Sequence, residues 1–259
     1  MNVIQYYFII TYIVTLGESN MEPKIVNGED ANIEDFAHSA FLGIQCKNNY
    51  GQTSHSFICG SSILNQYIML TAAHCMHGCS AYTSMNVYVG QAKILANPVS
   101  TARSFLIHQS YTENPVSNDV GLVKVQSQLI FSSAVKRVVL MEHTPQFEEA
   151  LVAGWGLIAE SAKSTPKRLK YTTQYVWDKK TCLQKLRKMA EGCFCAASKS
   201  VTSYPSLGDS GSAIVIKGYM QIGLVSYNVP SINPSIIVYM NTSYFYPWIL
   251  KYANKLMCV

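Results

Sequence analysis

The sequence predicts an all-β fold, a sandwich or a barrel. Three observations carry this. From Ile25 onward, short apolar runs rich in Val, Ile and Tyr alternate with Gly, Asn, Ser and Pro. Helical periodicity is confined to two stretches late in the chain. The composition is that of a packed chain: of 259 residues, 49% are hydrophobic and only 14% charged, which excludes disorder. That length holds one large domain or two small ones. No Gly-X-Y period, heptad run or longer repeat is present, which argues against collagen, coiled coil and solenoid. A formal charge of +5 is too mild to imply a dedicated nucleic-acid binder.

The first segment reads as a leader. Val3 to Leu16 is apolar or aromatic apart from Gln5, Thr11 and Thr15, and Thr15 and Gly17 are spaced as the −3 and −1 positions of a signal-peptidase site. The run is shorter than the roughly 20 residues a membrane span needs. Residues 1–17 are therefore read as a cleaved secretory signal in preference to a membrane anchor, although no Lys or Arg precedes the run. A polar stretch, 18–24, follows, and Ile25-Val26-Asn27-Gly28 opens the compact part, 25–259. Strands are expected at Ala40–Ile44, Tyr67–Leu70, Met85–Val89, Ser104–Ile107, Val120–Val125, Leu151–Ala153, Ala213–Ile216, Met220–Ser226 and Ile236–Met240. A helix is expected over Tyr244 to Leu256 with Ser243 as its cap, and a weaker one over Lys179 to Met189.

Eight cysteines mean disulfides in a secreted chain and thiols or metal ligands in a cytosolic one, and the leader favours disulfides. The run His74-Cys75-Met76-His77-Gly78-Cys79 lacks the ligand grouping of a zinc site. Met76 to Thr112 contains no Asp or Glu, which argues against calcium. No cofactor or metal is expected. Lys163, Lys167, Arg168, Lys170, Lys179, Lys180, Lys185, Arg187, Lys188 and Lys199 make up half of the 20 basic residues. A solvated face is the plain reading of this block, and a polyanion-binding face is the alternative. Asn241-Thr242-Ser243 is a glycosylation sequon.

Three segments carry chemistry, in a fixed order: Thr71-Ala72-Ala73-His74-Cys75, Asn118-Asp119-Val120-Gly121-Leu122-Val123-Lys124, and Gly208-Asp209-Ser210-Gly211-Ser212-Ala213. A serine hydroxyl is a weak nucleophile at neutral pH. It needs a base, usually His, and the His needs an acceptor that fixes its tautomer. Ser210, in a tight turn between two glycines, His74 and Asp119 supply these roles. The amides of Gly208 and Ser210 are candidate donors to a developing oxyanion.

On these residues the chain resembles the secreted trypsin/chymotrypsin-like serine proteases over Ile25 to about Tyr252. The resemblance rests on Ile25-Val26-Asn27-Gly28, Ala72-Ala73-His74-Cys75, Asn118-Asp119, Gly154-Trp155-Gly156, Gly208-Asp209-Ser210-Gly211, Ser226-Tyr227 and Trp248-Ile249. It implies two six-stranded antiparallel β-barrels with the site between them and a C-terminal helix. It also implies His74 as general base and acid, Asp119 as its orienter, Ser210 as nucleophile, and Ser226 as a hydrogen-bond partner of Asp119. It makes 18–24 an activation propeptide. Cleavage of Lys24-Ile25 by a trypsin-like enzyme would free an Ile25 ammonium that pairs with Asp209, and the expected protein is a zymogen. Among the cysteines, the resemblance matches Cys59 with Cys75, and Cys182 with Cys195, Cys193 competing for that role. Cys46 and Cys79 fall on loops that neighbour each other in such folds. No argument pairs Cys193 with Cys258.

The pattern breaks at the specificity pocket. The resemblance places the pocket floor at Tyr204, where no Asp stands, and the walls at Asn228, after Tyr227, and at Ile237. Ser206 and the absence of a Cys near Ile232 remove the disulfide that frames the pocket in relatives. Bulk at Tyr204 and Ile237 is expected to fill or reshape the pocket. The expected activity is that of a secreted, monomeric serine endopeptidase, not Lys/Arg-specific, with small apolar P1 preference or little activity on standard peptides. Its expected partners are a protein or peptide substrate, an activating protease and a protein inhibitor, with no nucleic acid and no membrane. The alternative is a weak or inactive protease-like protein that binds a partner.

Overall fold

A computed structural model of the chain describes residues 25–26, 28–94, 97–143, 148–156, 168–199 and 203–258. The leader and propeptide, including Lys24, and the basic residues Lys163 and Lys167 lie outside the described residues.

The first half contributes β1 (Glu29–Asp30), β2 (Ser39–Lys47), β3 (Thr53–Ile63), β4 (Ile68–Thr71), β5 (Ser84–Val89), β6 (Ser100–Ile107), β7 (Thr112–Glu113), β8 (Val116–Ser117), β9 (Gly121–Val125) and β10 (Val139–Leu140). The second half contributes β11 (Glu149–Gly154), β12 (Lys170–Val176), α1 (Lys179–Leu186), β13 (Cys193–Ala197), β14 (Ala213–Ile216), β15 (Met220–Val229), β16 (Asn233–Asn241) and α2 (Tyr246–Met257).

Strands β2-β3-β4-β9-β6-β5 close into one antiparallel barrel. Strands β12-β11-β14-β15-β16-β13 form the second, closed by the pairing of β12 with β13. Closure removes the open edges that would otherwise recruit other chains. Each barrel has its own interior. Leu42, Ile44, Leu70, Val87, Leu122 and Val123 fill the first, and Val152, Phe194, Ile214, Ile222, Ile237 and Tyr239 the second. A third cluster seals the join, where Trp155 packs edge-on to Phe41 of β2 with ring centroids 6.0 Å apart. Its indole N–H donates to the Ala92 carbonyl. A polar link crosses the same join: Ser62 Oγ donates to Gln221 Oε1 at 2.8 Å, fully buried.

Two helix boundaries differ from expectation. α1 starts at Lys179 because Asp178 caps it, Oδ1 accepting from the Thr181 amide at 2.9 Å, but it ends at Leu186, before Met189. α2 starts at Tyr246, and Ser243 does not cap it. The Ser243 hydroxyl donates instead to Asn241 Oδ1, so a local turn competes with the cap and wins. Three disulfides form: Cys46–Cys79, Cys59–Cys75 and Cys182–Cys195. Cys193 and Cys258 are free thiols. No helix of the described residues is long and apolar enough to cross a membrane.

Candidate active site

The site lies at the join of the barrels. β4 ends at Thr71, and a single 3-10 turn, Ala73–Cys75, carries His74 away from the first barrel. The Cys59–Cys75 disulfide ties that turn to β3. Asp119 stands just before β9, which pairs with β4, so register alone brings the two segments side by side. Asp119 is fully buried. Its Oδ1 accepts from the His74 amide and its Oδ2 from the His74 ring at Nδ1, both at 2.8 Å. Ser226, reaching over from β15 of the second barrel, donates its hydroxyl to the same Oδ2 at 2.5 Å. Three donors therefore fix one carboxylate. With Nδ1 acting as donor, Nε2 is the ring's basic nitrogen and the one left for chemistry.

Ser210 lines the same cleft as His74. Its hydroxyl makes no hydrogen bond to the His74 ring in this structure. The backbone around it is pinned on both sides. The Ser210 carbonyl accepts from the Gly60 amide at 2.8 Å, the Gly211 amide donates to Val225, and the Ser212 amide donates to the Asp209 carbonyl. The Asp209 amide donates to Ser206. This leaves the Gly208 and Ser210 amides without an acceptor among the described residues. Gly208 has φ +97°, and a Cβ there would lie 2.8 Å from the Ile58 side chain, so the turn requires glycine for both conformation and space.

Asp209 is fully buried. Its oxygens accept from the Gly156 amide at 2.7 Å and the Ser206 amide at 2.9 Å. No cation pairs with it among the described residues. Burial pushes its carboxyl up to about 7, against the two backbone hydrogen bonds that favour the charged form. The Tyr239 hydroxyl is buried with no hydrogen-bond partner, and the charge of Asp209 adds to burial in holding its phenol protonated. Ile25 is buried too, and Val26 pairs with Tyr204, five residues before Asp209.

The cleft has a volume of about 520 Å³. Tyr204, Ile237 and Val225 floor it, and all three belong to the second barrel's core. Pro205, Ser206, Leu207, Tyr227, Asn228 and Pro230 continue its walls. Tyr204 and Ile237 line the cavity and do not fill it. Tyr111 and Val116, from the segment ahead of Asp119, line it as well. Sequence reading missed both, because neither sits in a motif; their only signal is closeness to Asp119 in the chain. Asp119 is the one carboxylate among the described residues that line the cleft, and its oxygens are taken up by His74 and Ser226. Burial raises the Tyr111 phenol well above its ordinary value and that of Tyr227 to about 12, so both line the cleft as neutral groups. The two clusters of Cys and His with metal-site spacing, Cys46-His55-Cys79 and Cys59-His74-Cys75, have their sulfurs locked in disulfides.

Comparison with known proteins agrees with the fold. The trypsin family model matches residues 25–249. Trypsin alpha of Drosophila erecta is 27% identical over 249 residues, covering 91% of this chain and 90% of that protein. Hypodermin-A of Hypoderma lineatum is 28% identical over 257 residues, covering 96% and 95%. The solved structure of HL collagenase superposes with a TM-score of 0.76 at 24% identity, covering 88% of this chain and 98% of that one. A scabies mite inactivated protease paralogue superposes with a TM-score of 0.74 at 20% identity, covering 88% and 97%. Double barrel, matched motifs and family model agree, and the chain belongs to the trypsin family.

Proposed function

We propose that the protein is a secreted serine endopeptidase working through His74, Asp119 and Ser210. One observation carries the reading: His74 is held by a triply bonded Asp119 beside a serine whose turn leaves the Gly208 and Ser210 amides free. Ser210 Oγ attacks the substrate carbonyl while His74 Nε2 takes its proton. The oxyanion forms against the two free amides, each worth about 10²–10³ in rate. Collapse expels the amine, which leaves with the proton from His74. Water then hydrolyses the acyl-enzyme by the same path.

The protein is made as a zymogen. A buried Asp209 without a cation, an unpartnered Tyr239 hydroxyl and a buried Ile25 support this. Cleavage after Lys24 by a trypsin-like protease would create an ammonium at Ile25, and the pair would stabilise the turn carrying Gly208 and Ser210. Cleavage after Lys or Arg is not expected. A cation at the floor would meet Tyr204, Val225 and Ile237 with no free carboxylate to offset its desolvation. A small apolar side chain fits that floor.

A second reading, a weak or inactive protease-like protein that binds a partner, is favoured by the same bulky floor. It draws on the structural likeness to an inactivated paralogue. Intact mass after reaction with a fluorophosphonate, before and after cleavage at Lys24-Ile25, separates the two. Such a probe needs an activated serine and an oxyanion site but little of the pocket. Labelling of Ser210 only after cleavage is expected. Folded, cleaved protein that stays unlabelled moves the balance to the binding reading, and equal labelling of Lys24→Gln refutes the zymogen.

A further inference from the structure

The basic block that the catalytic reading does not use gathers on one helix. Lys179, Lys180, Lys185, Arg187 and Lys188 are all exposed, on α1 and the turn that ends it. Eight helical residues span about 12 Å. Successive cations along the helix are at most five residues, about 7.5 Å of rise, apart, which is within the roughly 8 Å Debye length at physiological salt, so their fields overlap.

Nothing in the fold needs this arrangement. None of the five makes an ion pair among the described residues. Lys179 and Lys180 occupy the first turn of α1, where the helix dipole disfavours cations, and no acidic residue stands in that turn. Both oxygens of the capping Asp178 are already occupied by Thr181. Arg187 has φ +65°, a left-handed conformation that glycine adopts at less cost. The helix buries Cys182 and Leu186 and contributes its packing through them alone. Two lysines in the first turn are an electrostatic cost to stability, which a bound polyanion would offset.

We propose that α1 is a docking surface for a sulfated polysaccharide. The chemistry favours sulfate on a linear chain. The exposed side chains of α1 and its terminal turn are Lys179, Lys180, Gln184, Lys185, Arg187 and Lys188, with no exposed aromatic ring to stack on a base. No exposed apolar side chain is available there to enter a bilayer. Three disulfides fit an oxidising compartment, where extracellular glycans are met. Beneath this surface, the helix packs on a cluster that reaches the cleft. Cys182 and Leu186 pack in the same cluster as Tyr227, which lines the cleft wall, so a glycan on α1 would hold the protein beside glycan-bearing material.

The test is binding of the full-length chain to immobilised heparin. If four of the five cations engage, counterion release predicts an affinity loss of about 50-fold between about 50 and 200 mM salt. Replacing Lys179, Lys180, Lys185 and Lys188 together by Gln should abolish that binding, with the thermal midpoint unchanged or raised. A control removes the same charge from other exposed sites, by Lys136→Gln, Lys217→Gln, Lys251→Gln and Lys255→Gln, and should retain most of the affinity. Three outcomes would overturn the proposal: an α1 variant that binds like the parent, a control that loses as much, or a parent that binds single-stranded DNA or anionic phospholipid vesicles as tightly as heparin. None of these readouts depends on the activity of Ser210.

Discussion

Ser226 of the second barrel donates its hydroxyl to Asp119 of the first at 2.5 Å, so the buried carboxylate that orients His74 is shared between the two halves of the molecule. The bond makes the site depend on how the barrels are seated. Asp119→Asn keeps the shape but offers an amide N–H where an acceptor is needed, which favours the wrong His74 tautomer. A loss of about 10⁴ in fluorophosphonate labelling rate is expected. Ser226→Ala removes one of three donors and leaves the tautomer intact, so about a tenfold loss is expected. Labelling rates of the cleaved protein check both. Equal losses would mean that Ser226, not the charge, sets the histidine.

Asp209 should control the neighbouring turn by its charge. Asn in its place retains one acceptor for Gly156 but sets an amide N–H against the Ser206 N–H. It also cannot pair with an ammonium. Cleaved Asp209→Asn is expected to label at least about 100-fold more slowly than the cleaved parent, comparable to losing one oxyanion donor. Parent-like labelling would show that the turn stands without the ion pair. In the uncleaved chain the Asp209 carboxyl titrates near 7. An ammonium partner should lower that value, so labelling of the cleaved protein should persist well below pH 7.

The barrels were only partly legible in the sequence, and the misses have a common cause. β12 alternates as a strand should, but three of its four inward positions are Lys170, Thr172 and Gln174, with Val176 the fourth. Lys170 is buried and reaches Asp30, and Thr172 meets Ser203. Polar pairing thus replaces the apolar signal that marks a strand. β3 hides differently, for its first four residues are exposed and polar and only its last five are buried. β13 is apolar throughout, and two of its five residues are the cysteines that drew attention away from it. The site was more legible, because His74, Asp119 and Ser210 each sit in a short local motif. What the motifs could not convey is the backbone's share. The amides of Gly60, Gly156 and Ser206 hold the Ser210 turn, and an amide has no side-chain signature.

His38 gives the fold a sensitivity to acid. It is buried at 3% exposure beside Phe36, and desolvation lowers its pKa from 6.5 to about 4. The unfolded chain binds a proton near pH 6.5 that the folded chain refuses until about 4. Stability contributed by the neutral ring is therefore complete above pH 6.5 and falls as pH drops towards 4, by about 3 kcal/mol in all. Asp209 acts in the opposite sense over part of that range, since its raised pKa favours the folded state at low pH. The quantity to measure is thus the difference between parent and His38→Leu in denaturant unfolding at pH 4.5 and 7. The difference should shift in favour of the variant at the lower pH. A pH-independent difference would mean that the folded protein protonates His38 as readily as the unfolded chain does, so that burial does not hold the ring neutral.

Lys124 anchors the end of the chain. Its side chain is 7% exposed, and Nζ donates to the Leu256 carbonyl at 2.7 Å. The carbonyl belongs to the last turn of α2, where the helix dipole presents its negative end, so the cation satisfies an orphan acceptor and complements the dipole together. α2 in turn buries Trp248, Ile249 and Leu256 against the first barrel, although it follows the second in sequence. Lys124→Met keeps the buried stem and removes the donor, leaving a carbonyl without its partner. A cost of about 1–3 kcal/mol is expected. At about 2–4 °C per kcal/mol for a domain of this size, the midpoint should fall by several degrees. Amide hydrogen exchange should localise the effect: protection should drop along the last two turns of α2 and persist in β9. Uniform loss across the first barrel would mean that Lys124 supports the barrel itself and not the docking of the helix.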